Sequence, residues 1–122
     1  MQEYKEKFRV KAEDCISQID SSLPLLLGTY TIVKWMEIVS AKYINSQIDT
    51  QKFITVGKRV DIEHTGMADV DNEIVITTTI EEQGKREVSF NIEATLEEKV
   101  IATAFHTRTI IPKKLIDRLI KA

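Results

Sequence analysis

The sequence predicts an α+β fold in a single domain over residues 1–122: an antiparallel sheet of about five strands wrapped around one long central helix, with a short C-terminal helix. Two observations carry this reading. Apolar residues alternate with polar ones near the start of the chain and again through its second half, and a single long stretch of helical period lies between. No Pro/Gly/Ser-rich linker, low-complexity tract or internal repeat divides the chain.

Taken in order, Phe8, Val10 and Ala12 alternate with Arg9, Lys11 and Glu13, as in a half-buried strand. Ser21-Ser22-Leu23-Pro24 breaks that pattern, and an apolar loop, Leu25-Leu26-Leu27-Gly28, follows. From about Thr29 to Ile44 the period becomes helical. Ile32, Val33, Trp35, Met36, Val39 and Tyr43 share one face, and Lys34 and Lys42 lie off it. Asn45 to Gln51 is polar and ends the helix.

Four strands come next. In the first, Ile54, Val56, Val60 and Ile62 share a parity against Arg59, Asp61 and Glu63. The second sets Ile74, Ile76 and Ile80 against Thr77, Thr79 and Glu81. The third sets Val88, Phe90, Ile92 and Ala94 against Glu87, Ser89, Asn91 and Glu93. Glu82-Gln83-Gly84-Lys85 between these two reads as a hairpin turn in which Gly84 supplies a positive φ. The fourth, about Val100 to Ile111, is apolar on both parities, as a central strand would be. Pro112 suits the first turn of the last helix, where Leu115, Ile116, Leu119 and Ile120 form an apolar stripe. A sheet with one apolar face and one long amphipathic helix must bring the two together, and that is the hotdog arrangement.

Composition narrows the function. Lys and Arg number 17 and Asp and Glu 19, for a net charge of −2, which argues against a nucleic-acid binder. No run of about 18 apolar residues is present to span a membrane. The charged N-terminus lacks the apolar stretch of a signal peptide, and the single Cys15 cannot form an internal disulfide, so a cytoplasmic location is expected. His64 and His106 are the only histidines and no ligand spacing appears, so neither a metal nor a resident cofactor is expected.

Two ionisable residues break the pattern of a plain core. Glu37 lies at the border of the helix's apolar face, and His64 shares the inward parity of its strand. Each has a plain alternative: a rim carboxylate paired with a neighbour, and a satisfied structural histidine. Thr29 stands eight residues before Glu37, about two helical turns away on a similar azimuth. Its plain alternative is a helix N-cap.

The segment Thr55-Val56-Gly57-Lys58-Arg59-Val60-Asp61-Ile62-Glu63-His64 resembles the signature strand of the fluoroacetyl-CoA thioesterase-like family of hotdog enzymes. Gly28 to Glu37 is similar to that family's helix start, with Thr and Glu at this spacing. Phe105-His106-Thr107-Arg108 resembles its last-strand pattern, and Gly84 falls at its hairpin glycine. Two departures stand out: Tyr30 where the family often has proline, and Asp71 where it has glycine. The resemblance implies hydrolysis of an acyl-CoA thioester, with Thr29, Glu37 and His64 as catalytic residues.

It also implies a homodimer with active sites at the interface, and the open edge of such a sheet invites the same. Coenzyme A enters only as part of the substrate. Lys58, Arg59 and Arg86 are the candidates for its phosphates, with Lys52 and Lys85 behind them. The amides near Tyr30 and Thr31 are candidate oxyanion donors. His106 is read as either a pocket or a packed residue, and Arg108 as a partner for an acidic neighbour. The competing functions are a non-catalytic acyl-CoA-binding module and a hotdog hydratase/dehydratase, whose His and Asp motifs are not found.

Overall fold

The computed structural model describes residues 2–121. In chain order these form β1 (Glu3–Arg9), two 3-10 turns (Ala12–Asp14 and Ile16–Gln18), α1 (Thr29–Asn45), β2 (Phe53–His64), β3 (Glu73–Gln83), β4 (Glu87–Leu96), β5 (Lys99–Pro112), a third 3-10 turn (Lys113–Leu115) and α2 (Ile116–Lys121). The strands make one antiparallel sheet in the order β1-β3-β4-β5-β2, with β1 and β2 at its edges. This is the hotdog arrangement expected from the pattern.

The helix lies on the sheet because each has one apolar face. Ile32, Trp35, Met36, Val39, Tyr43 and Ile44 of α1 are buried against Ile74, Ile76, Val88, Phe90 and Ala102 of the strands. Burying each large apolar side chain contributes about 2 kcal/mol. Ring stacking of Phe8 on Trp35, with centroids 4.8 Å apart, ties edge strand β1 to the helix. The hydroxyls of Ser40 and Thr78, buried in this core, pair with each other at 3.3 Å.

Four local expectations change. The first strand lies earlier, at Glu3–Arg9, with Tyr4, Glu6 and Phe8 turned inward. Val10 is buried beyond its end, and Ala12 opens a 3-10 turn. Gly84 does not carry a positive φ. The left-handed residues are Glu97 (φ 50°) and Glu98 (φ 69°) in the β4–β5 turn, and Asp71 (φ 74°). Asp tolerates this conformation better than most side chains, which explains how it stands where the resembling family has glycine. Beyond Ile101, which is buried at the register shift against β4, the middle of β5 is buried on one face: Ala102, Ala104, His106 and Arg108 point inward, while Phe105 is 36% exposed on the other face.

The fourth change bears on the site. A β-bulge between Gly57 and Arg59 places an extra residue, Lys58, in β2. It reverses the parity of everything before it. Val60, Ile62 and His64 face α1, but so do Thr55 and Gly57, whereas Val56 is 40% exposed.

Candidate active site

The start of α1 is fixed by the loops around it. Gly28 N–H donates to Asp14 O (3.0 Å), Leu27 N–H to Ala68 O (2.9 Å) and the Thr31 hydroxyl to Asp14 O (2.9 Å). The Tyr30 hydroxyl donates to Cys15 O (2.9 Å). Tyr30, which replaces the family's proline, thus ties the helix start to the preceding loop by a bond proline could not make. Burial, aided by Asp14 and Asp69, pushes the Cys15 thiol above its ordinary pKa, so it stays protonated inside this loop cluster.

Gly28, not Thr29, is the N-cap of α1. Thr29 occupies the first helical position and its hydroxyl is directed elsewhere: Oγ1 lies 2.8 Å from Nδ1 of His64, at the end of β2. The other imidazole nitrogen, Nε2, is shielded from solvent and has no partner among the described residues. The Thr31 amide donates to Gly28 O (3.1 Å), which removes it from the oxyanion candidates. The amide of Tyr30 has no acceptor among the described residues and points out of the positive end of the helix.

Two turns along α1, the Glu37 side chain is 42% exposed and forms an ion pair with Arg108, Nη1 to Oε1 3.6 Å. The carboxylate sits against the backbone of Gly57, in the space a β-carbon there would fill. Arg108 is 7% exposed. Its Nε donates to Thr55 Oγ1 (3.0 Å) and Nη2 to Thr55 O (3.1 Å). Burial lowers the Arg108 pKa from its ordinary value and Glu37 opposes that, so the guanidinium stays charged beside the carboxylate. The structure therefore joins Thr29 to His64, and Glu37 to Arg108 and Gly57. No hydrogen bond links the two pairs among the described residues.

The CoA candidates are spread out. Lys58 is ion-paired with Glu87, and Arg59 with Asp61 at 3.7 Å. Arg86 and Lys85 rim a groove of about 820 Å³ lined by Ile48, Phe53 and Leu115. Arg86 adjoins Ile110, whereas His64 pairs with Ala102, so the two are separated by eight residues of β5, about 27 Å. Arg86 does not meet the Thr29–His64 pair within one chain. No helix among the described residues is long and apolar enough to cross a membrane, and no cluster of three His, Cys, Asp or Glu is found there.

A family described as fluoroacetyl-CoA-specific thioesterase matches residues 10–114. The chain is similar in structure to the fluoroacetyl-CoA thioesterase at a TM-score of 0.88 and 14% identity, covering 98% of this chain and 93% of that one. That enzyme has been crystallised, in variant form, with acetyl-CoA and with fluoroacetate and CoA. A thioesterase superfamily member from Thermus thermophilus matches at a TM-score of 0.89 and 20% identity, over 98% and 88% of the two chains. A hot-dog-like protein from Thermanaerovibrio acidaminovorans matches at 0.88 and 15%, over 98% and 87%. No curated protein sequence matches the chain.

Proposed function

The chain belongs to the fluoroacetyl-CoA-specific thioesterase family, and we propose that this acyl-CoA thioesterase cleaves a short or small acyl group from CoA with Thr29, Glu37 and His64. The observation that carries the assignment is the Thr29–His64 hydrogen bond, which holds the imidazole by Nδ1 and leaves Nε2 without a partner among the described residues. The Thr29–Glu37 interval spans about 12 Å along the axis of α1, room for a thioester and a water between the two pairs.

In this reading the carbonyl carbon gains an oxygen and its C–S bond breaks. Glu37 either takes a proton from the attacking water, or attacks the carbon itself to form a mixed anhydride that a water then hydrolyses, freeing the acid and restoring the carboxylate. Thr29 holds the acyl oxygen or the water. The Tyr30 amide donates to the oxyanion. His64 protonates the departing CoA sulfur. The products are the free acid and CoA. The protein works as a homodimer with sites at the subunit interface. Lys58 and Arg59, on edge strand β2, are better placed than Arg86 for the phosphates of CoA bound beside His64 of the same chain.

Thiol release from a panel of acyl-CoAs, acetyl-CoA and fluoroacetyl-CoA included, tests this. Turnover of a small acyl-CoA and a loss in Glu37→Gln of about 100-fold or more are expected. Binding without turnover would point to an acyl-CoA-binding module instead. Equal rates for wild type and Glu37→Gln would remove Glu37 from the reaction.

A further inference from the structure

The reaction as described makes no use of His106, which is fully buried in β5 and stacked near Phe90 with centroids 5.9 Å apart. An imidazole and a guanidinium beneath a helix are costly unless their hydrogen bonds are met, and here they are met in one order. Arg59 O, just past the bulge, lies 2.8 Å from His106 Nδ1. A carbonyl can only accept, so Nδ1 carries the proton and Nε2 keeps its lone pair. Nε2 then accepts from Arg108 Nη1 at 3.2 Å. With Nε and Nη2 bound to Thr55, the guanidinium is anchored at three points, and Nη1 also faces Glu37.

We propose that His106 is a positioning residue for the thioesterase reaction: it orients Arg108, and Arg108 holds the Glu37 carboxylate over Gly57 for its encounter with the thioester. The proposal rests on the reading of Glu37 as the catalytic carboxylate. The bulge has a part in it, because it brings the Arg59 carbonyl to His106. Burial, reinforced by the Arg108 cation, keeps the His106 pKa below the ordinary imidazole value, while the Arg59 carbonyl and Glu37 oppose this. The neutral ring that results is the form able to accept from Arg108.

Two substitutions separate positioning from packing. In His106→Gln the side-chain carbonyl reaches the place of Nε2 and can still accept from Arg108. In His106→Asn the shorter amide can donate to Arg59 O but leaves Arg108 without its acceptor. The Asn variant is expected to lose about tenfold in kcat with KM within about twofold, and the Gln variant to stay within about threefold of wild type. On the residual rate of Glu37→Gln, adding His106→Asn should change nothing further. Equal losses in the two variants, a loss that persists undiminished without Glu37, or a wild-type kcat in His106→Asn would overturn the proposal. Should His106→Asn not fold, Arg108→Lys keeps the charge without the anchors, and a wild-type kcat there overturns it equally. A Glu37→Gln enzyme with full turnover would fail the underlying reading. An inactive Glu37→Gln beside a fully active His106→Asn would fail the positioning role alone.

Discussion

The Glu37 carboxylate lies where a β-carbon on Gly57 would stand. Gly57 faces α1 from β2 and is in register with Arg108 on β5. Its missing side chain therefore lets helix carboxylate and strand guanidinium meet. In Gly57→Ala the methyl group must displace Oε1, the end of a flexible side chain, so the fold should adjust at little expense. The expected result is a fall in kcat of about tenfold or more, with a melting temperature within a few degrees of wild type. Thiol-release kinetics and a thermal melt check it; an unchanged kcat would mean that the position of the carboxylate is not used.

Thr29 yields a second prediction. Because Gly28 caps the helix, removing the Thr29 hydroxyl does not remove a cap. Thr29→Ala should lower stability only by the worth of the solvent-exposed bond to His64, about 0.5–1 kcal/mol, with no cap lost. It should lower kcat by about tenfold or more through loss of the bond to His64. Thr29→Ser keeps an oxygen at that place and should retain most activity. A melt that falls by a full cap's worth, with kcat intact, would restore the capping role.

The inward facing of His64 was legible from alternation, yet part of the pattern behind it was misleading. Ile54 and Val56 belong to the opposite face, and only Val60 and Ile62, beyond the bulge, share the side of His64. A bulge is one added residue in a pairing set by a distant strand, and the one signal for it in the Gly57-Lys58-Arg59 run is the isolated glycine inside a strand pattern. The true first strand was hidden for another reason. Its inward residues are Tyr4, Glu6 and Phe8, and a carboxylate among them reads as a charged tail. Arg108 was expected to pair with an acidic residue, but its partner, Glu37, lies 71 positions away and is brought near only by packing of α1 on the sheet.

Assembly is a third point of test. The β2 strand, 12 residues long, ends the sheet with unpaired backbone groups along its outer side. Exposed strand edges of that length are normally covered. Gly57 and His64 stand on this same strand, so covering it with a second copy would put both against the interface. Light scattering at micromolar protein is expected to give twice the chain mass, and specific activity should fall on dilution into the dissociating range. A chain-sized mass with undiminished activity would show that the site is complete in one chain.

Stability against pH supplies the last test, and its sign follows from His106. Unfolded, the imidazole titrates near its ordinary value of 6.5; folded, burial and the Arg108 cation hold it lower. Between the two values the unfolded chain binds more protons, so stability rises with pH there. The contribution of His106 is complete above 6.5, declines as pH falls below that value, and levels off below the folded pKa. His106→Gln removes the titrating group and leaves His64 and the carboxylates in place. The stability advantage of wild type over His106→Gln should therefore be greatest near pH 7.5 and shrink as the pH is brought to about 5. Thermal or urea melts of both proteins across that range measure it. A difference that stays constant with pH would mean that folding does not depress the imidazole, and that Nε2 is not reserved in its neutral form for Arg108.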